Sequence, residues 1–325
     1  MNAAMKTGRQ ETGERGHEAY ERLIARCKGI KPVATAVAYP CDESSLEGAA
    51  AAARAGIIAP ILVGPAAKVR AAAALAKIDV SGFRLIEAAG SQDAADKAVA
   101  AVRAGEAEAL MKGSLHTDEL MGAVVRRETG LRTARRISHC FIMAVPTYPR
   151  PLIITDAAVN IFPTLEDKVD IVQNAIDLVA GLGLKQPKVA VLSAVETVNP
   201  KIPSTLEAAA LCKMAERGQI TGGLLDGPLA FNNAIDPEAA RIKGIKSPVA
   251  GQADILVVPD LEAGNMLAKN LTFLSKADAA GIVLGARVPI VLTSRADSLR
   301  TRIASCAVAA LSALARKKKT PIAAA

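Results

Sequence analysis

The chain has no tryptophan, and aromatic residues make up only 2% of its 325 positions. Reading single-stranded nucleic acid by base stacking needs aromatic platforms, so that class is disfavoured, as is a carbohydrate-stacking site. Histidine is also scarce: His17, His116 and His139 lie far apart in the chain. They make no metal constellation, and a Ser–His–Asp triad is hard to assemble from them. Five cysteines (Cys27, Cys41, Cys140, Cys212, Cys306) are an odd number without C-x-x-C spacing. Neither a disulfide framework nor a zinc knuckle is expected. No apolar run reaches about 18 residues, so no spanning helix and no membrane partner are expected. The polar start MNAAMKTGRQETGERGHE lacks the apolar stretch of a signal peptide. Reduced thiols without an address point to the cytoplasm. There is no G-x-G-x-x-G after a strand, no G-x-x-x-x-G-K-[ST] and no G-x-S-x-G, so no dinucleotide fingerprint, P-loop or nucleophile elbow is signalled.

What is present is alanine. Hydrophobic residues make up 51% of the chain, and much of that share is Ala, so a helix-rich core with Val, Ile and Leu strands is expected. The net charge is +8. The one dense basic block, RKKK at 316–319, lies in the C-terminal tail and reads first as a solvated run. The other cations are scattered, which suits a phosphate-bearing small ligand better than a duplex.

Short apolar runs alternate with longer stretches at helical spacing. Strands are expected at 33–38, 59–63, 83–87, 109–112, 140–145, 152–155, 188–192, 222–225, 255–258, 281–284 and 289–293. Helices are expected at 44–55, 92–104, 117–128, 166–180, 204–217, 261–274 and 298–313. This is an α/β pattern with a largely parallel sheet, and the near-continuous apolar strands fit a sheet covered on both faces. Length suggests about two domains. Residues 1–17 read as a flexible lead-in, and three prolines in VPTYPRP (145–151) mark a seam.

In open parallel sheets, ligands bind beyond the carboxyl ends of the strands, and several stretches offer polar groups there. LTSRADS (292–298) places Ser294 and Arg295 where the strand VPIVL stops. LMKGSLHTDEL (110–120) offers Lys112, Ser114 and Thr117 at a strand–turn–helix, an anion cradle or simply a Thr117 helix cap. LRTARRISH (131–139) clusters Arg132, Arg135 and Arg136. Guanidinium forks suit phosphate, but the cluster precedes a strand, which is the wrong end of a parallel sheet unless that strand runs antiparallel. ITDAAVNIFP (154–163) leaves a strand through Asp156, a ligand holder or a turn cap. SAVETVNPKIPST (193–205) offers Glu196, Asn199 and Lys201, with Ser204 as an expected helix cap and Glu207 completing a capping box. Asp226 and Asp260 each end a strand, as site carboxylates or turn caps.

Six stretches in this order resemble the phosphate acetyl/butyryltransferase family: KGSLHT (112–117), ITDAAVNIFPTLEDK (154–168), ETVNPKIPST (196–205), DGPLAFNNAID (226–236), PDLEAGN (259–265) and TSRADS (293–298). The resemblance runs from about residue 20 to about 314. It implies two α/β domains with largely parallel sheets around an interdomain cleft, an architecture like that of isocitrate and isopropylmalate dehydrogenases. The second domain, 146–282, would be inserted in a first made of 18–145 and 283–325. The implied activity moves a short acyl group, acetyl or butyryl, reversibly between coenzyme A and inorganic phosphate by thiolate attack on an acyl phosphate. It needs no redox cofactor and no metal, and members are usually dimers or larger, with a homodimer expected here. Ser294, Arg295 and Asp297 become the catalytic candidates. Phosphate and substrate contacts fall to Lys112, Ser114, Thr117, Arg136 with Arg135 as its alternative, Asp156 and Lys201. Coenzyme A contacts fall to Ser204, Asp226, Asp260 and Asn265. One departure stands out: where acetyl-type members carry an aspartate seven residues after the serine, this chain has Thr301, and Asp297 is the nearest carboxylate. TSRADS and NIFPTLEDK look more like the butyryl branch.

Three other readings compete. A decarboxylating dehydrogenase shares the general architecture, but its metal-binding aspartates are missing. A non-catalytic acyl-CoA sensor would keep the pocket without the base. A nucleic-acid binder would have to rest on net charge alone.

Overall fold

The computed structural model describes residues 18–294 and 296–318, which pack as two compact units. The outer unit comprises Tyr20–Ile137 and the chain from Ala280 on, and the central unit runs over Ser138–Ala279.

In the outer unit the strands are β1 (Val33–Ala38), β2 (Ile58–Gly64), β3 (Arg84–Glu87) and β4 (Ala109–Lys112), followed late in the chain by β10 (Asp278–Leu284) and β11 (Ile290–Val291). They lie in the order β3-β2-β1-β4-β11-β10. All pairings are parallel except the last, where β10 and β11 run antiparallel. Helices α1 (Glu43–Arg54), α2 (Ala66–Ala76), α3 (Ser91–Arg103) and α4 (Thr117–Val125) follow the first four strands, and α10 (Leu299–Lys318) follows β11. Alanine explains how these layers close without aromatic bulk. Ala49, Ala50 and Ala52 of α1 and Ala94, Ala95 and Ala98 of α3 are fully buried. Burying them costs no rotamer entropy, and their short side chains let helix and sheet approach closely.

The central unit orders its strands β5 (Ser138–Ala144), β6 (Leu152–Thr155), β9 (Ile255–Val257), β7 (Lys188–Leu192) and β8 (Leu224–Leu229). The last four are mutually parallel, while β5 runs antiparallel to β6 with Cys140 opposite Thr155. The helices here are α5 (Leu165–Gly181), α6 (Pro203–Glu216), the short α7 (Phe231–Ile235) and α8 (Pro237–Ile242), and α9 (Leu261–Phe273). Thr164 caps α5 through a reciprocal pair of bonds with Asp167, at 3.2 and 3.0 Å. Met143, Leu152, Ile154, Leu229 and Leu256 anchor the core.

The α/β class and its mostly parallel sheet agree with the periodicity. The differences are local. Helix α2 is absent from the sequence reading because AAKVRAAAALA carries one large apolar residue on its buried side, Val69, too little for a stripe. The strand expected at 289–293 shortens to Ile290–Val291, since Leu292 already belongs to a loop. Pro203 at the first position of α6 displaces the expected Ser204 cap. Ile202 is the N-cap residue and no side chain caps the helix, so the Ser204–Glu207 capping box does not form.

Candidate active site

Three neighbouring parallel strands of the outer unit end at one edge. Ala38 of β1 is level with Lys112 of β4, and Met111 of β4 with Val291 of β11. Beyond them come three loops that each enter a helix: residues 39–42 before α1, 113–116 before α4 and 292–298 before α10. Helix N-termini gathered in this way favour negative charge.

Glycine makes the close approach possible. A Cβ on Gly113 would lie 2.4 Å from the Ala38 carbonyl oxygen and 2.5 Å from that of Tyr39. Ser114 then ties the first two loops together. Its N–H and hydroxyl both donate to the Tyr39 carbonyl, at 2.9 and 2.8 Å, and its Oγ accepts the Cys41 N–H at 3.2 Å. Thr117 stands exposed in the first turn of α4. The cap position belongs to His116, whose N–H donates to Glu119 Oε2 at 2.8 Å. This corrects the expected Thr117 cap.

The third loop carries the candidate catalytic residues. The Asp297 carboxylate accepts the Ser294 N–H at 2.7 Å. Burial pushes the Asp297 carboxyl up from its ordinary value; the Ser294 N–H, Arg302 and Lys112 pull it back in that order without cancelling the rise. Lys112 is only 5% exposed and its Nζ donates to the Gly113 carbonyl at 3.2 Å. The exposed Ser294 accepts the Ala296 N–H on its hydroxyl at 3.3 Å. Arg295 lies outside the described residues. Thr301 bonds Ser298 through hydroxyl and backbone, both at 3.1 Å, so it stabilises the start of α10.

The sequence reading passes over Arg302. Only 3% of it is exposed, and its guanidinium donates to Ser294 O at 2.9 Å, Thr293 Oγ1 at 3.2 Å and Ser44 Oγ at 3.4 Å. A signal for it does exist. Arg302, Cys306, Ala309 and Ala313 fall on the buried stripe of α10, and a cation on an apolar stripe needs a reason to be there. Arg135 and Arg136 sit in a segment pinned by Thr133, which donates its hydroxyl to Gly285 O at 2.6 Å and accepts the Arg135 N–H at 3.1 Å. The bridge between Arg132 and Ala286 sets this segment just beyond β10, which runs antiparallel to β11.

In the central unit, the carboxyl ends of β6, β9, β7 and β8 share an edge. Asp156 is 3% exposed there, and its carboxylate accepts the N–H groups of Ala158, Val159 and Asn160 and the Asn160 side-chain amide, at 2.9, 3.0, 3.3 and 2.6 Å. Of its two readings, the turn cap is what this geometry displays. Asp260 likewise caps α9, accepting Ala263 N–H at 2.8 Å. Asp226, expected to end a strand, instead lies within β8 opposite Ala190, because the strand continues to Leu229, and it accepts Gly227 N–H at 2.9 Å. Ser204 bonds Ser193, hydroxyl to hydroxyl, at 2.8 Å. Asn265 donates to Ala157 O at 3.3 Å. Lys201 stays exposed, its N–H on Asn199 Oδ1 at 3.0 Å. Beneath Asp156 lies His139, fully buried and edge-on to Phe141 at 4.4 Å, its Nδ1 without a hydrogen-bond partner. Burial takes its pKa down to about 4 against the opposing pull of Asp156, so it is neutral at pH 7. Among the described residues no group of three or more His, Cys, Asp and Glu could hold a metal ion.

The outer edge therefore combines a carboxylate with raised proton affinity, two buried cations and three helix N-termini. Such a set can accept a proton and stabilise a nearby polyanion. Comparison with known proteins agrees. The sequence profile of the phosphate acetyl/butaryl transferase family matches residues 88–310. A phosphate acetyltransferase of Rhizobium meliloti is 68% identical over 305 residues, 94% of this chain and 96% of that protein. A phosphate butyryltransferase of Clostridium acetobutylicum is 41% identical over 294 residues, 90% of this chain and 98% of that one. The crystal structure of a branched-chain phosphotransacylase from Enterococcus faecalis V583 superposes with a TM-score of 0.77 at 30% identity, covering 86% of this chain and 99% of that one.

Proposed function

The chain belongs to the phosphate acetyl/butaryl transferase family, and from that premise we propose that it moves an acetyl group reversibly between coenzyme A and inorganic phosphate. The observation that carries the choice of acetyl is the 68% identity to a phosphate acetyltransferase over 94% of the chain, against 41% to a butyryltransferase.

In the direction of thioester synthesis, the coenzyme A thiol gives its proton to Asp297. The thiolate attacks the carbonyl carbon of acetyl phosphate, a C–S bond forms, and negative charge collects on the carbonyl oxygen. Collapse of that oxyanion breaks the C–O bond to phosphorus, and inorganic phosphate leaves with the bonding pair. Every bond and proton in this sequence is supplied by the two substrates and one carboxylate, so the chemistry calls for no redox cofactor. The raised proton affinity of Asp297 supports its role as base, because a carboxylate at its ordinary value is a poor acceptor from a thiol. Lys112 supplies fixed positive charge, which speeds the reaction only so far as it follows the developing charge. Ser294, exposed beside the base, donates to the carbonyl or phosphate oxygen, and Arg295 with Arg136 completes the phosphate contacts. Asp156, Asp260, Asn265 and Ser204 act behind the contact surface, shaping the coenzyme A loops of the central unit, with Asp226 in the adjoining strand β8.

The free thiols of the described chain suit a reducing cytoplasm. Exposed Met266 and Phe273, seven residues apart on α9 and followed by exposed Leu274, support self-association as a dimer. Thioester formation from coenzyme A, followed by ultraviolet absorbance with acetyl phosphate and butyryl phosphate in parallel, tests the reading. A higher specificity constant for acetyl phosphate is expected. A preference for butyryl phosphate would reverse the acyl choice, and coenzyme A binding without turnover on either would replace the enzyme by an acyl-CoA sensor.

A further inference from the structure

The geometry assigns Arg302 a positioning role in acyl transfer: its buried guanidinium sets the Ser294–Asp297 loop in the reactive arrangement, and Gly48 exists to admit it. The inference rests on the acyl-transfer reading above.

Three observations carry it. First, the guanidinium donates to Thr293 Oγ1, to the Ser294 carbonyl and to Ser44 Oγ, so one planar fork spans the start of α10, the reactive loop and the first turn of α1. A fork with fixed donors defines the loop in a way a point charge cannot. Second, the groups facing it are divided. Asp42 caps α1, accepting the Ser45 N–H at 2.8 Å. Burial opposes its charge, yet the Ser45 bonds, Arg302 and Ser44 leave its carboxyl below the ordinary value. Asp297 faces the same guanidinium together with Lys112 but ends above its ordinary value. One buried cation thus has a structural carboxylate on one side and a reactive one on the other, and Cys306 lies near it along α10. Third, the space is specific. A Cβ on Gly48 would stand 2.9 Å from Arg302 Cδ and 3.2 Å from its Cβ. Gly48 is helical and buried, where glycine is otherwise a poor choice.

The test uses the full chain and three variants, with wild-type turnover on coenzyme A and acetyl phosphate measured first. Absence of wild-type turnover would overturn the acyl-transfer reading itself. Given turnover, Arg302→Gln should lower kcat at least tenfold and move the acid limb of kcat/KM to higher pH, because Asp297 loses a cation that favours its ionised form. Arg302→Lys restores the charge without the fork, so the limb should return while kcat stays low. Gly48→Ala removes no polar group and bends only the arginine stem; it should lower kcat several-fold with the limb little moved. Gly48→Ala also keeps the inference testable if Arg302→Gln does not fold. Wild-type kcat in both Gly48→Ala and Arg302→Lys would overturn the positioning role. So would losses matched by an equal loss of folded protein with the acid limb unmoved.

Discussion

Replacing Asp297 by asparagine separates chemistry from folding at this site. The amide is nearly isosteric and its oxygen can still accept the Ser294 N–H that the carboxylate holds at 2.7 Å, so the loop keeps its anchor. What is lost is the proton acceptor. A positioned base is worth roughly 10²–10⁴ in rate, which is about 3–5 kcal/mol of barrier, and turnover should fall by that factor. Stability should move the other way or not at all. Burial outweighs the three groups that favour the ionised form, so the charged carboxylate is disfavoured relative to water. The sign follows from linkage: the folded state binds its proton more tightly than the unfolded chain, so this residue's contribution to stability falls as pH rises through the carboxylate range. A neutral amide avoids that loss. Steady-state kinetics with acetyl phosphate, together with a thermal melt at neutral pH, makes the comparison. In the parent enzyme the acid limb of kcat/KM should also lie above the ordinary carboxylate value, with activity lost as pH falls. If Asp297→Asn turned over within a few-fold of the parent, or melted well below it, the assignment of the base and the account of its environment would both fail.

Gly113→Ala drives a methyl group into two backbone carbonyls, which cannot swing aside as side chains do, and should cost about 1–3 kcal/mol in urea unfolding; an unchanged midpoint would mean the strand ends are not held as described. Glu207→Ala strands Lys168, which is 4% exposed and pairs with Glu207. Breaking such a pair costs about 3–5 kcal/mol when fully buried, and the 28% exposure of the Glu207 side chain sets the lower end as the expectation for thermal unfolding. His139 is held neutral, with its pKa depressed to about 4. The unfolded chain therefore binds more protons between that pH and the ordinary histidine value, and stability should decline as pH falls across this window by about 3 kcal/mol. A His139→Phe variant should lose that part of the pH slope, and a slope identical to the parent's would clear His139 of the effect.

Much of this was readable from the residues. Apolar runs such as VATAVA and IAPILVG marked the parallel strands, because a strand covered on both faces has no polar side to show. TSRADS and KGSLHT could be placed at strand ends by the same logic. Two kinds of feature escaped. The reason Gly113 and Gly48 are glycine is a neighbour far away in the chain, a carbonyl of β1 in one case and an arginine of α10 in the other, and no local pattern encodes it. Arg302 escaped because only the fold shows that it turns inward, to Thr293 and Ser294 nearby and to Ser44 from the opposite end of the sequence. For Asp156 the local pattern offered both ligand and cap, and only the geometry of four converging donors favours the cap. Ser204 misled because serine followed three residues later by glutamate fits a capping box, while Pro203 had already fixed where the helix starts.

The Asp156 turn has a consequence for the timing of hydrogen exchange. The amides of Ala158, Val159 and Asn160 lie in a loop, where exchange is ordinarily fast, yet all three end on one buried carboxylate. They should exchange with the slow kinetics of the strands, since releasing any of them means exposing that carboxylate or opening the unit around it. Directly after them come Ile161 and Phe162, strongly exposed. Two apolar side chains are thus held out on a turn braced by four hydrogen bonds, so covering them would cost little backbone entropy.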